Sequence, residues 1–190
     1  MGLRNVLFGR KKLSEPKDDR LFALSTARIT LQTELGLKPA GVAGVTFKPL
    51  SSGEFDRADA DMEQLVQAAA SSAGSEIERK TDQYGFDWVI VRDWDFEDVV
   101  TTVHAVAAEL TAQGFGSQLL AAAFRFEGGD TESPTYWIYG FKLGTFWPFV
   151  PLEGEKRDNA RELELKAKLE QELPIEQDLT RWLALFDAPV

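Results

Sequence analysis

The chain has no cysteine and a single histidine, His104. Without thiols there is no disulfide framework and no thiolate metal site, a composition that suits a reducing compartment. Ala105 and Val106 follow His104, so an H-E-x-x-H zinc motif is excluded. No apolar run approaches the roughly 18–20 residues a membrane span needs. A secretory h-region is also lacking, because Leu3, Val6, Leu7 and Phe8 give way at once to Gly9, Arg10, Lys11 and Lys12. Elimination leaves the expectation of a soluble, cytoplasmic protein. No nucleophile elbow of the G-x-S-x-G type occurs. Gly114-Phe115-Gly116 follows a helical pattern and has no Lys-Ser/Thr pair after it, so it reads as a helix stop and not a phosphate loop. Asp93, Asp95, Glu97 and Asp98 alternate as in a calcium loop, but the sixth-position glycine is missing and a capping role in a first helical turn fits better. The expectation is a non-enzyme with no cofactor and no metal.

What is present is an ordinary globular composition: 190 residues, 44% apolar and 27% charged. That length suits one domain and is long enough to bury a core unaided. The formal net charge is −10, which repels phosphate backbones and argues against nucleic-acid binding. The charge is uneven. Residues 1–12 carry Arg4, Arg10, Lys11 and Lys12 and no acid. Leu3, Val6 and Leu7, extended by Phe8, lie on one helical face there. Residues 1–20 therefore read as a tail, either frayed and solvated or folding as an amphipathic segment on a membrane surface or a partner. Residues 21–190 read as the single domain.

Within that domain, residues 21–35 read as a helix or mixed segment with Gly36 as its stop. Pro39, Gly41 and Gly44 mark a loop, and Val42, Val45 and Phe47 a short strand ending at Pro49. Ser51 and Glu54 have capping-box spacing and open a helix through Ala69. Strands follow over 77–80 and 86–91, with a turn at 82–85. Asp95 caps the next helix, whose apolar stripe runs from Phe96 to Leu110 before Gly114. Strands are predicted over 119–126 and 136–143, a charged helix over 156–173, and a short last helix from Leu179, Trp182, Leu183 and Phe186. The fold class is α+β: an antiparallel or mixed sheet with helices on one side, two helix-strand-strand units, and C-terminal helices. The element order resembles small secretion-chaperone-like domains, whose members bind peptides.

Two regions qualify as partner-binding candidates. Trp137, Tyr139 and Phe141 fall on one strand face, and Phe146, Trp147 and Phe149 follow. They form either a packed core corner or, with Trp182, an exposed binding ridge. The 156–173 helix carries two apolar strips, Ala160-Leu163-Ala167 and Leu165-Leu169-Leu173. They make either one broad core face or one core strip and one strip for a coiled-coil partner.

Several segments together resemble the PspA-associated protein family PspAB. These are residues 21–32 (LFALSTARITLQ), 41–49 (GVAGVTFKP), 88–98 (WVIVRDWDFED) with His104, 114–120 (GFGSQLL), 142–151 (KLGTFWPFVP), Arg157-Asp158-Asn159, and 176–189 (EQDLTRWLALFDAP). The resemblance spans most of the chain. It implies an accessory or regulatory role in a phage-shock-type envelope-stress response, with a PspA-like coiled-coil protein as partner and an HtpX-type membrane protease alongside. Some relatives carry a protease label, which the missing zinc motif does not support here. Leu3, Arg4, Val6, Leu7, Phe8, Arg10, Lys11 and Lys12 are the candidate membrane contacts, placing the protein in the cytoplasm or peripherally at the inner membrane face. The alternatives are a secretion-chaperone-like peptide binder and an uncharacterised hydrolase.

Overall fold

Alternating and continuous apolar runs assemble here into one six-stranded sheet. The computed structural model describes residues 19–48, 64, 74–129, 131–186 and 188–190. The candidate membrane-contact residues and the predicted helix from Ser51 lie outside them, apart from Gln64, which is helical. The strands are β1 (Leu37–Phe47), β2 (Glu76–Thr81), β3 (Asp87–Arg92), β4 (Leu119–Gly128), β5 (Thr135–Gly140) and β6 (Thr145–Phe149). Their order is β2-β3-β1-β4-β5-β6, and every neighbouring pair is antiparallel. The expected α+β class therefore holds. The β2–β3 hairpin and the β4–β5–β6 meander flank a central β1.

The registers sort side chains onto two faces. Val45, Val89, Ala122, Tyr139 and Phe146 share one face. Gly44, Ile90, Ala123, Ile138 and Trp147 share the other. All ten are buried, so the central strands read as apolar runs without polar alternation.

Helices α1 (Ala23–Thr33) and α2 (Phe96–Ala112) cover the first face. Asp95 caps α2, its Oδ1 accepting from Glu97 N at 2.9 Å, a bond type worth about 1 kcal/mol. The helix ends in a Schellman motif: Phe115 N donates to Leu110 O at 2.8 Å and Gly114 N to Thr111 O at 3.0 Å, with Gly114 at φ +92°. Phe96 meets Phe124 and Phe126 of β4 at ring-centroid distances of 6.2 and 5.4 Å. His104, on α2, lies 4.9 Å from the Phe22 ring, within the helical layer.

The second face is closed differently among the described residues. After a small hairpin of β7 (Pro151–Leu152) and β8 (Lys156–Arg157), helix α3 (Asn159–Leu169) packs on β6. The chain then runs parallel to β6, with Phe146 N donating to Pro174 O and Glu176 N to Phe146 O, both at 2.8 Å. It crosses onto the second face as an irregular strap, described over residues 182–186 and 188–190. Trp147 Nε1 donates to Leu183 O at 3.0 Å, Tyr136 Oη to Val190 O at 3.3 Å, and the Phe149 and Phe186 rings meet edge-on at 5.2 Å.

Four expectations change. The first strand is an eleven-residue element that includes Pro39, Gly41 and Gly44. Pro39 is tolerated because β1 pairs with β3 only from Val42 onward, and a bulge separates Pro39 from Ala43 on the β4 side. Gly44 leaves room for the strap, since a Cβ there would stand 2.8 Å from Val190 Cγ1 and 2.9 Å from Trp88 Cε3. The 136–143 strand stops at Gly140, where residues 141–144 turn tightly into β6. The charged helix expected over 156–173 runs only from Asn159 to Leu169, beginning where Asp158, its N-cap, accepts from Arg161 N at 3.0 Å. The last helix reduces to a single 3-10 turn, Leu179–Arg181. Side chains capture the carbonyls of its would-be continuation: Arg157 Nη1 donates to Trp182 O at 2.8 Å, and Trp147 donates to Leu183 O.

Candidate functional site

Of the two readings of the aromatic residues, a packed core corner or an exposed ridge, the structure takes the core. Trp137, Tyr139, Phe141, Phe146, Trp147, Phe149 and Trp182 are all buried. Tyr139 packs on Phe141 and Phe146 at centroid distances of 5.6 and 4.7 Å on the helical side. Trp147 and Phe149 lie beneath the strap. Strand alternation with both faces covered leaves the five strand rings no surface to present, and Phe141 is buried in the turn after β5 and Trp182 at the start of the strap.

The other candidate region divides as one of its two readings requires. Leu165, Leu169 and Leu173 are buried, whereas Ala160, Leu163 and Ala167 face solvent. Leu163 is 46% exposed, and the 3-10 turn brings Leu179, 49% exposed, to the same groove. This groove encloses about 140 Å³ and is lined by Arg157, Asn159, Glu162, Leu163, Leu179 and Trp182. Leu183, 58% exposed, follows Trp182 directly. Sequence periodicity groups Leu179 and Leu183 with Trp182 and Phe186 on one helical face. Loss of the helix turns Trp182 inward and the two leucines outward.

A buried ion pair sets the groove's floor. Glu162, 1% exposed, accepts from Arg157 Nε on both oxygens, at 3.0 and 2.8 Å, and from Val150 N on Oε1 at 2.9 Å. Burial pushes the Glu162 carboxyl above its ordinary range, and the Val150 N–H and the Arg157 guanidinium offset only part of that cost. Arg157 also sits 5.4 Å from the Phe149 ring centroid. The floor is therefore fixed in place by contacts to β6, α3 and the strap at once.

The remaining acids that attract notice serve the backbone. Asp93 accepts from Asp95 N at 3.0 Å and from Ser75 Oγ at 2.8 Å, and these bonds hold its carboxyl below the ordinary range. Asp82 organises the β2–β3 turn, and Asp178 caps the 3-10 turn through Thr180 N at 3.1 Å. Among the described residues no group of three or more His, Asp or Glu side chains is placed to hold a metal ion. No helix among them is long and apolar enough to cross a membrane.

The sheet, its two helices and its own irregular strap define an α+β module with an apolar groove on its outer helix. No curated protein and no solved structure matches the chain. It belongs to the family of PspA associated protein B, PspAB, whose model matches residues 1–190, the whole chain. The expected family is thereby established, and with it a PspA-related accessory role.

Proposed function

We propose that this chain is a non-catalytic adaptor of a PspA-type membrane-stress response, and that it docks a helix of a PspA-like coiled-coil protein on the Leu163–Leu179 groove. One observation carries the reading: α3 buries Leu165 and Leu169 and leaves the Ala160-Leu163-Ala167 strip open beside a fixed apolar groove. Ala160 and Ala167 flank Leu163 at coiled-coil spacing and let a partner backbone come close. Glu164 and Lys166 border that seam and can select a partner's register by charge. A non-catalytic role is favoured because the prominent acids are bonded to backbone N–H groups as caps and turn formers. The 1–12 segment adds weak contact with an anionic membrane through Arg4, Arg10, Lys11 and Lys12, each worth roughly 1 kcal/mol near such a surface. An HtpX-type membrane protease is the second expected partner, on the family resemblance alone.

Co-purification with the PspA-like protein tests the reading. Leu163→Glu should reduce capture about ten-fold or more, as expected for a central apolar anchor. Ile29→Glu, at an exposed position on α1, should leave capture intact. Equal capture by both variants would place the partner elsewhere, and no capture by the parent chain would remove the adaptor reading.

A further inference from the structure

A second cavity lies on the opposite margin of the strap, away from α3. It encloses about 160 Å³ between the β2–β3 turn and strap residues Ala184, Leu185, Phe186 and Ala188. Its lining has a distinct chemistry. Tyr84, Phe86, Trp88 and Phe186 supply four aromatic rings, and Asp82 supplies a carboxylate. Ala184, Leu185 and Ala188 complete an apolar wall. Tyr84 is 61% exposed at the mouth, whereas Trp88 is buried at the base.

The carboxylate is fixed. Asp82 Oδ1 accepts from Tyr84 N and Phe86 N, both at 2.9 Å, and Oδ2 accepts from Trp88 Nε1 at 2.9 Å. The last bond also orients the indole and draws its N–H toward a negative group, which raises electron density on the ring. Aromatic faces attract cations through their quadrupoles, and the rings of Tyr84, Phe86 and Phe186 are the ones open to a ligand, with Trp88 buried behind them. A cavity with aromatic walls and one fixed carboxylate favours a flat or compact organic cation over an anion or a neutral group of equal size.

We propose that this cavity is a recognition site for a basic side chain, the guanidinium of an arginine foremost, presented by a protein partner. The guanidinium is planar, stacks on aromatic rings and is weakly hydrated, so it gives up little on entering an apolar cavity. A choline-type lipid headgroup shares the cationic chemistry but carries a phosphate beside it, which Asp82 and the net charge of −10 disfavour. The site is independent of the α3 groove and does not require that the groove bind PspA.

The test uses the full chain and three small molecules: Nα-acetyl-arginine methylamide, its neutral isostere Nα-acetyl-citrulline methylamide, and phosphocholine. Binding is read by calorimetry and by the NMR shift of the Trp88 Nε1–H signal. The arginine amide should shift that signal and bind about five- to ten-fold more tightly than the citrulline amide. Tyr84→Ala, at an exposed turn position, should weaken arginine binding several-fold with an unchanged circular dichroism spectrum. Equal binding of citrulline, no shift at Trp88, or arginine binding indifferent to Tyr84→Ala would overturn the proposal. Tighter binding of phosphocholine would overturn it in favour of a lipid headgroup.

Discussion

The two faces of the sheet are covered by opposite means. On one, α1 and α2 satisfy their own backbone groups and contribute apolar stripes such as Val99, Val103, Val106 and Leu110. On the other, the described part of the strap has little backbone bonding of its own, and side chains of the body hold its carbonyls: Arg157 on Trp182, Trp147 on Leu183, Tyr136 on Val190. A helical cover depends on periodicity. A strap depends on individual polar anchors, each of which can be removed alone. The strap face should therefore be the more sensitive to conservative polar changes, and the helical face to loss of volume.

The largest expected effect comes from Trp147→Ala, which removes both the ring beneath the strap and the Leu183 anchor. It should cost about 3–5 kcal/mol in chemical denaturation. Leu110→Ala, on the helical face, should cost about 2–5 kcal/mol through volume alone and leave the strap protected from proteolysis. Equal strap cleavage in the two variants would break the distinction between the faces. Next is Glu162→Ala, which strands the Arg157 charge and the Val150 N–H and should cost about 3 kcal/mol. Glu162→Gln should cost less, because its amide oxygen still accepts from Val150 N although Arg157 loses its counter-ion.

The raised Glu162 carboxyl gives that comparison a pH signature. Its folded form favours the proton more than the unfolded chain does, which titrates near the ordinary glutamate pH of 4.5. Its contribution to stability is therefore complete below that pH and lost as pH rises through the folded value. Asp93 acts oppositely: its contribution is present above the ordinary aspartate range and lost as pH falls through its depressed folded value. Carboxyl NMR titration should place Glu162 above the ordinary glutamate value and Asp93 below the ordinary aspartate value, and a group found unshifted or shifted the other way would refute its own assignment. The smallest effect is expected of Trp147→Phe. It keeps most of the ring, deletes the bond to Leu183, and should cost about 1 kcal/mol with faster strap proteolysis.

The helical face is largely legible in the sequence. Phe96 through Leu110 announce α2, and Asp95 and Gly114 mark its ends, because propensity, capping and packing agree there. The strap face is not. Residues 179–186 have the spacing of an amphipathic helix, but the carbonyls that would sustain one are taken by Arg157 and Trp147, which lie distant in sequence. The sequence makes β1 look too short for a related reason. Its proline and glycines resemble loop punctuation until the bulge and the Val190 contact explain them. The candidate site is half legible. The Ala160-Leu163-Ala167 strip is visible in the periodicity, whereas Leu179 and the Glu162–Arg157 floor emerge only with the three-dimensional arrangement.

The central position of β1 has a kinetic consequence. Its partners lie far along the chain: Val45 pairs with Val89 on one side and with Ala122 on the other. On a ribosome this segment emerges before either partner strand and must wait, apolar and unpaired, for both neighbours. Ladders closed over such distances form slowly, and until β4 arrives the waiting strand is the part of the nascent chain most exposed to wrong pairing.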